Sequence, residues 1–119
     1  MENEIWKDVV GFEGSYIVSN YGNVKSVKKD LIITAYPNIH GYLTVPLYRN
    51  GKKSSKPVHR LVVLAFYGEA PSEAKFQVNH KDGIKINNRL DNLEYCTRKE
   101  NMKHASINGL LRNRSRKKS

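Results

Sequence analysis

Short runs in which apolar and polar residues alternate dominate the first third of the chain and predict β-strands. Tyr16–Ser19 and Val24–Val27 flank Asn20–Asn23, whose Asn and Gly residues are typical of the turn of a β-hairpin. Leu31–Thr34 continues the pattern. We therefore expect this part of the chain to form a small antiparallel β-module.

A longer strand is predicted over Tyr42–Tyr48, in which the aliphatic residues recur at every second position and share one face: Leu43, Val45 and Leu47. Pro46 has no amide hydrogen to donate to a neighbouring strand, so it indicates an edge strand or a bulge. Asn50 and Gly51 form a second turn signal. The basic segment Lys52–Pro57 that follows is expected to be exposed.

The pattern changes at residue 58. Val58–Tyr67 has apolar residues at the spacing of a short, mostly buried helix that ends near Gly68. Two further strands are predicted on either side of a long polar loop, and a last helix with a capping-box pattern follows them. In chain order these elements are Phe76–His80, the loop Lys81–Asp91, Leu93–Thr97 and the helix Arg98–Ile107. Together they place the chain in the α+β class.

The charge of the chain is strongly positive and unevenly placed. The 119 residues contain 21 Lys and Arg against 11 Asp and Glu, a net charge of +10. Residues 1–40 hold four basic and five acidic side chains, so the excess lies in the remainder. This favours a polyanion as partner, because Lys and Arg release counterions condensed on phosphates. Charge alone leaves open a small RNA-binding or ribosome-associated protein, and a membrane surface is a weaker option.

Composition excludes several classes of protein. The hydrophobic residues, 39% of the chain, suffice for a modest core and argue against wholesale disorder. No run approaches the roughly 20 apolar residues of a membrane-spanning helix, and the acidic first residues do not form a secretory signal. The single cysteine, Cys96, excludes an internal disulfide framework and a cysteine-rich zinc site. We expect a cytoplasmic protein.

His80, Asn92 and Asn101 form the constellation that carries chemistry. A strand–loop–strand–helix unit can bring these three positions around one point. Histidine can take a proton from water at neutral pH. A side-chain carbonyl such as that of Asn92 can fix the tautomer of the ring, and an amide oxygen such as that of Asn101 suits Mg²⁺ or Mn²⁺. A base and a cation are what phosphodiester hydrolysis requires.

The residues around this point are expected to have simpler roles. Asn87 and Asn88 are interpreted as turn-formers that satisfy backbone groups, and His59 as a residue that caps or packs. Asp91 and Glu94 are expected to make surface or turn contacts. Phosphate contact is expected for the surrounding basic side chains, which are Lys81, Lys85, Arg89, Arg98, Lys99 and Lys103.

At these residues the sequence strongly resembles the HNH endonucleases, in the phage and homing branch whose third motif residue is Asn. Val78–Asn101 carries the motif, and Val58–Phe66 is similar to the helix that precedes it. Separately, Glu4–Ser26 looks like NUMOD4, an N-terminal module that often precedes this nuclease. The two matches occur in the order expected for the family.

The resemblance implies a ββα-metal (His-Me finger) motif in which His80 is the general base, Asn92 its orienting partner and Asn101 a metal ligand. Asn79 stands where the relatives have a metal-binding Asp, and it is expected to be the second ligand. Two neutral amides predict weak binding of Mg²⁺ or Mn²⁺ by the free protein, with a DNA phosphate completing the site.

We therefore expect an α+β endonuclease with three parts: a NUMOD4-like antiparallel β-module over residues 1–50, a nuclease domain over residues 51–107 and a disordered basic tail over residues 108–119. Its expected activity is divalent-metal-dependent cutting or nicking of double-stranded DNA by a monomer. The alternative is a non-catalytic DNA-binding protein of the same fold. Longer homing relatives carry a C-terminal helix-turn-helix reader, and a basic tail in its place implies limited sequence preference. The resemblance also suggests a phage gene acting in a bacterial host.

Overall fold

Four short antiparallel strands form an N-terminal sheet. The structure is a computed structural model, and it describes residues 3–68 and 76–97 of the chain. The strands lie in chain order across the sheet and are β1 (Trp6–Asp8), β2 (Tyr16–Ser19), β3 (Val24–Ser26) and β4 (Leu31–Ile32). The predicted hairpin is confirmed, since β2 and β3 pair across the Asn20–Asn23 turn with Val18 opposite Val24.

A second sheet of three strands has the order β5-β6-β7. Its strands are β5 (Tyr36–Pro37), β6 (Leu43–Arg49) and β7 (Lys52–Pro57). Asn50 and Gly51 form the predicted turn, both with positive φ, at 52° and 76°. The basic segment Lys52–Pro57 that follows this turn pairs with β6 as strand β7. The sequence analysis did not predict this strand. Of its three lysines, Lys52 and Lys53 are exposed, as expected, whereas Lys56 is half-buried.

Pro46 faces a side of β6 that has no neighbouring strand, even though β6 is the central strand of its sheet. The two residues of β5 pair only with Thr44 and Leu43, so the side of β6 beyond them has no neighbouring strand. On that side the amide of Tyr48 donates to the hydroxyl of Tyr16 at 3.1 Å. Because alternate residues of a strand point the same way, the missing amide hydrogen of Pro46 faces this unpaired side.

The helix and the last two strands lie where the sequence predicted them. Helix α1 (Val58–Tyr67) begins after Pro57, whose backbone is extended, and ends at Gly68, whose φ is 82°. Strands β8 (Phe76–His80) and β9 (Leu93–Thr97) form an antiparallel pair, with a 3₁₀ turn over Leu90–Asn92 before β9. The predicted helix 98–107 and the tail 108–119 lie outside the described residues.

One hydrophobic core joins the three sheets through α1. Apart from Val9, which follows β1, its fully buried side chains come from β2, β3, β6, α1 and β9, and they include Val18, Val24, Leu47, Val62 and Leu93. The proposed boundary at residue 50 falls in the turn between β6 and β7, and core residues come from both sides of it. Cys96 is buried and forms no disulfide. Within the described ranges no helix is long and apolar enough to cross a membrane.

Candidate functional site

His80 ends strand β8, opposite Leu93 at the start of β9. Leu93 is completely buried, so this register joins the backbone of His80 to a strand of the hydrophobic core. The imidazole itself is 6% exposed. Water reaches little of the ring, and hydrogen bonds to it therefore act in surroundings of low dielectric constant.

The amide of Asn88 holds the ring of His80. Nε2 of the imidazole lies 2.9 Å from Oδ1 of Asn88 in a buried contact. An amide oxygen can only accept a hydrogen bond, so Nε2 carries the proton and donates it. In this tautomer the lone pair of the ring is on Nδ1, for which no hydrogen bond is found within the described residues. The arrangement prepares Nδ1 to accept a proton.

The structure corrects the expectation that Asn92 orients His80. The side chain of Asn92 instead accepts from the amide of Asp82 at 3.1 Å. It donates to the carboxylate of Asp82 and to the carbonyl of Asn87, both at 2.9 Å. Asn92 is held there because it sits in the 3₁₀ turn facing the start of the loop, and its own carbonyl accepts from the amide of Lys81. It closes the 81–92 loop, whereas Asn88, interpreted as a turn-former, reaches the ring.

Asp82 is the centre of that loop. One carboxylate oxygen accepts from the amide of Ile84 at 2.8 Å and the other from Nδ2 of Asn87 at 2.7 Å. The hydrogen bond from Asn87 and then that from Ile84 lower the pKa of Asp82 below its usual value. Both carboxylate oxygens of Asp82 are thus used in hydrogen bonds within the loop. These bonds fix the loop conformation that brings Asn88 to His80.

Two rings, those of Tyr42 and His59, pack against His80. Their centroids lie 5.8 Å and 5.2 Å from the centroid of the His80 ring. His59 is buried in the first turn of α1, and its Nδ1 has no partner among the described residues. Burial, and then electrostatic interaction with His80 and Arg60, lower the pKa of His59 to about 4. A neutral His59 therefore fills the space behind His80, as the packing interpretation expected.

The N-terminal hairpin touches the loop at Asn88. A Cβ placed on Gly22 would lie 2.8 Å from the carbonyl oxygen of Asn88 and 2.9 Å from its Cβ. Next to this contact the amide of Leu90 donates to the carbonyl of Asn20 at 2.9 Å. Gly22 also has a φ of 89°. Only glycine combines this backbone with so close an approach, so the hairpin turn sets where Asn88 lies.

Asn79 forms a cross-strand pair with Glu94. The two residues are direct partners in the β8–β9 register, and Nδ2 of Asn79 donates to Oε2 of Glu94 at 2.9 Å. Amide and carboxylate oxygens are the donors that Mg²⁺ and Mn²⁺ prefer, so this pair fits such a cation. Among the described residues no three His, Cys, Asp or Glu side chains are grouped to hold a metal ion. Asn101 lies outside the described residues.

Three of the six basic residues expected to contact phosphate are described, and all are exposed. Lys85 donates to the carbonyl of His40 at 2.9 Å and lies 5.0 Å from the centroid of the Tyr42 ring. Arg89 stacks over the ring of Tyr21 at 4.3 Å. Lys81 follows His80 directly, and within the described part of the chain it forms no ion pair. Arg98, Lys99 and Lys103 lie outside that part.

The sequence analysis gave Asn88 and Glu94 other roles, Asn88 as a turn-former and Glu94 as a residue with surface or turn contacts. Asn88 and Asn92 have the same side chain and lie in the same loop, so spacing from His80 does not distinguish them. The signal that does is a tertiary contact, because Gly22 approaches the backbone and Cβ of Asn88. Glu94 could have been found from the strand register alone, since pairing His80 with Leu93 places Glu94 opposite Asn79.

Comparison with known proteins gives two family matches in chain order. Residues 4–48 match the model of the NUMOD4 motif, and residues 56–103 match an HNH endonuclease model. An uncharacterized HNH endonuclease, L247 of Acanthamoeba polyphaga mimivirus, is 42% identical over 92% of this chain and 28% of its own length. The DNA endonuclease I-HmuI of Bacillus phage SP01 is 39% identical over 89% of this chain.

A solved structure gives the same relationship in three dimensions. It is described as DNA binding and cleavage by the HNH homing endonuclease I-HmuI, and it superimposes with a TM-score of 0.79 at 38% identity. The match covers 92% of this chain and 60% of the other. This chain therefore spans about three fifths of the phage enzyme and less than a third of the mimivirus protein.

Proposed function

Because this chain belongs to the HNH endonuclease family, we propose that it hydrolyses phosphodiester bonds of double-stranded DNA with the help of a divalent cation. The observation that supports this most directly is the contact between His80 and Asn88. It leaves Nδ1 as the basic atom of an imidazole that is otherwise enclosed by protein. A ring fixed in one tautomer and one orientation is what a general base requires.

In the proposed reaction His80 activates water. As the water oxygen attacks phosphorus, one of its protons passes to Nδ1 of His80. The bond from phosphorus to the 3′ oxygen breaks, and the departing oxygen takes a proton from solvent. The amide oxygen of Asn88 accepts from Nε2 throughout, so it stabilises the imidazolium as the ring gains charge. Asn92 and Asp82 hold the loop that carries Asn88 and are positioning residues.

The oxygen donors near His80 suit Mg²⁺ or Mn²⁺ better than a softer metal. Asn79 is proposed as one ligand, and Asn101 as a second. When bound, the cation would offset negative charge on the phosphoryl group and on the departing 3′ oxygen. The chain's own contribution is to fix the direction of the Asn79 amide through the hydrogen bond to Glu94.

Double-stranded DNA is the proposed partner, held mainly through its phosphates by a monomer. The net charge of +10 supports this, as do the exposed side chains of Lys81, Lys85 and Arg89 beside the site. Contacts to phosphates carry no sequence information, so limited sequence preference is proposed. The residues of the N-terminal hairpin contribute by positioning the loop at Asn88.

A plasmid assay tests the proposal. The full chain is incubated with supercoiled plasmid in Mg²⁺ or Mn²⁺, and the products are scored as open circles or linear molecules. We expect conversion that EDTA stops and that His80→Ala slows by about 10²- to 10⁴-fold. His40→Ala is the matched control, because it makes the same change at an exposed histidine and should cut like the wild type.

The same assay separates the endonuclease from its alternatives. Retained duplex binding with no conversion in either metal would indicate a non-catalytic DNA-binding protein of this fold. Equal cutting by wild type and His80→Ala would refute the assignment of the base. Stronger competition by RNA than by duplex DNA would instead favour an RNA-binding protein.

A further inference from the structure

We propose that Glu94 is the carboxylate of the cation site, where it supplies the negative charge that Asn79 lacks. The inference rests on the proposed function, since it concerns the same cation. It starts from a deficit of charge: Asn79 and Asn101 are both neutral amides. Mg²⁺ sites in proteins are usually bound through one or two carboxylates together with substrate phosphates.

Glu94 is the carboxylate that the structure places beside Asn79. The two residues are direct cross-strand partners, so their side chains leave the β8–β9 pair on the same face. The hydrogen bond from Nδ2 of Asn79 to Oε2 of Glu94 measures 2.9 Å. It occupies one carboxylate oxygen and leaves Oε1 for the cation. It also fixes the amide so that Oδ1, the ligand atom of Asn79, is directed away from the hydrogen bond.

The charge of Glu94 has no protein counterion in the described part of the chain. The ion pairs found there join Lys25 to Asp30 and Arg89 to Asp91. Glu94 is half-buried, and no basic side chain of the described residues forms an ion pair with it. In a chain of net charge +10 this position is readily explained if a cation binds beside Glu94.

Asp82 does not take this role. Both of its oxygens already accept hydrogen bonds from the 81–92 loop, from Ile84, Asn87 and Asn92. A cation would have to compete with the contacts that hold the loop. Glu94 accepts a single hydrogen bond within the described residues, and that bond comes from the proposed ligand Asn79 itself.

Mn²⁺ binding to the full chain without DNA tests the inference, with free Mn²⁺ measured by electron paramagnetic resonance. We expect Glu94→Gln to weaken binding by about 10- to 100-fold, the range seen when a supporting residue of a metal site is removed. Glu13→Gln is the matched control, because it removes the same charge from an exposed side chain of the N-terminal module. It should bind like the wild type.

A double variant guards against misfolding as the cause. Asn79→Asp returns a carboxylate to the site, so Asn79→Asp combined with Glu94→Gln should bind Mn²⁺ at least as tightly as the wild type. Equal Mn²⁺ affinity of Glu94→Gln and the wild type would overturn the inference, as would failure of Asn79→Asp to restore binding.

The two proposals fail in different ways. If wild type cuts plasmid, His80→Ala cuts it far more slowly, and Glu94→Gln binds Mn²⁺ normally, then Glu94 is excluded and the endonuclease proposal stands. If the wild type neither binds Mn²⁺ nor cuts, both are contradicted.

Discussion

Nε2 of His80 and Oδ1 of Asn88 are 2.9 Å apart in the interior of the protein. This contact joins the last residue of a core strand to the middle of a polar loop, and it selects one tautomer of the ring. The general base that we propose depends on it, because only the tautomer protonated at Nε2 presents a lone pair at Nδ1.

Nitrogen NMR of the histidine side chains tests the tautomer directly. Near pH 7.5 the neutral form of His80 should carry its proton on Nε2, since the amide oxygen of Asn88 accepts from that atom. A turned amide would present Nδ2 of Asn88 to the ring and put the proton on Nδ1. A spectrum with Nδ1 protonated would therefore contradict the arrangement.

Asn88→Ala should slow DNA cutting by about 10- to 100-fold, the usual cost of removing a residue that orients an active group. Asn88→Asp keeps an oxygen facing Nε2 and should retain more activity than the alanine variant. The measurement is the single-turnover cutting rate at saturating protein. Equal rates for Asn88→Ala and the wild type would show that the hydrogen bond does not matter for the reaction.

Asn92→Ala should lower the stability of the protein, because the side chain of Asn92 forms its hydrogen bonds within the 81–92 loop and not with the ring of His80. It removes three side-chain hydrogen bonds, to two groups of Asp82 and to the carbonyl of Asn87. Leaving such groups unsatisfied costs about 1–3 kcal/mol of the free energy of unfolding. Urea unfolding measures this loss. A stable Asn92→Ala protein with abolished cutting would instead support a direct role for Asn92 at the ring.

Gly22→Ala changes a residue of the N-terminal module and should displace Asn88 from His80. The added methyl group would lie 2.8 Å from the backbone oxygen of Asn88, which must move and take its side chain with it. Gly11→Ala is a matched control, since Gly11 has the same φ of 89° but nothing within 4 Å of the added group. Both variants strain the turn, and Gly22→Ala should lose about 1–3 kcal/mol more stability.

Cutting activity separates the two glycine variants further. Gly22→Ala should fall toward the rate of Asn88→Ala at a temperature where both proteins are folded, whereas Gly11→Ala should keep the wild-type rate. If the two glycine variants matched in stability and in rate, the contact between Gly22 and Asn88 would have no functional consequence.

The lowered pKa of His59 predicts how the stability of the protein depends on pH. Its pKa is lowered to about 4 in the folded protein, against about 6.5 in an unfolded chain. The folded state thus binds this proton less readily, so the stabilising contribution is complete above pH 6.5 and is lost as pH falls from 6.5 toward 4. Between pH 7 and pH 5 the loss should be about 2 kcal/mol.

Urea unfolding at the two pH values measures that loss. His59→Phe keeps a ring in the same space and removes the titration, so its stability should change less between pH 7 and pH 5 than that of the wild type. Asp82 stays ionised in this window because its pKa is lowered. The same pH dependence in both proteins would show that His59 is not the source.

The fold was predictable from sequence wherever local pattern and tertiary contact agree. The helix Val58–Tyr67 and the strand Phe76–His80 were predicted with the bounds that the structure has. Apolar residues of both elements, such as Val62 and Val78, lie in the core or pack against it. Lys52–Pro57 was not predicted as a strand, since a run of lysines and serines has low strand propensity. It is a strand because the tight turn at Asn50 and Gly51 pairs it with β6.

The position of the site histidine was predictable from the sequence, but the side chain that holds its ring was not. His80 lies at the strand end where the spacing placed it. Asn88 and Asn92 differ only in how the folded loop presents them, which depends on the hydrogen bonds of Asp82 and on the approach of Gly22. Such contacts lie far apart along the chain and leave no periodic signal.

The central claim is that His80 is the base of a DNA-cutting reaction, and one comparison tests it most directly. Single-turnover cutting of a duplex is measured for wild type and His80→Ala at protein concentrations that saturate binding of each. We predict equal binding, with cutting by His80→Ala reduced by about 10²- to 10⁴-fold, the usual contribution of a general base. Cutting at the wild-type rate by bound His80→Ala would contradict the account.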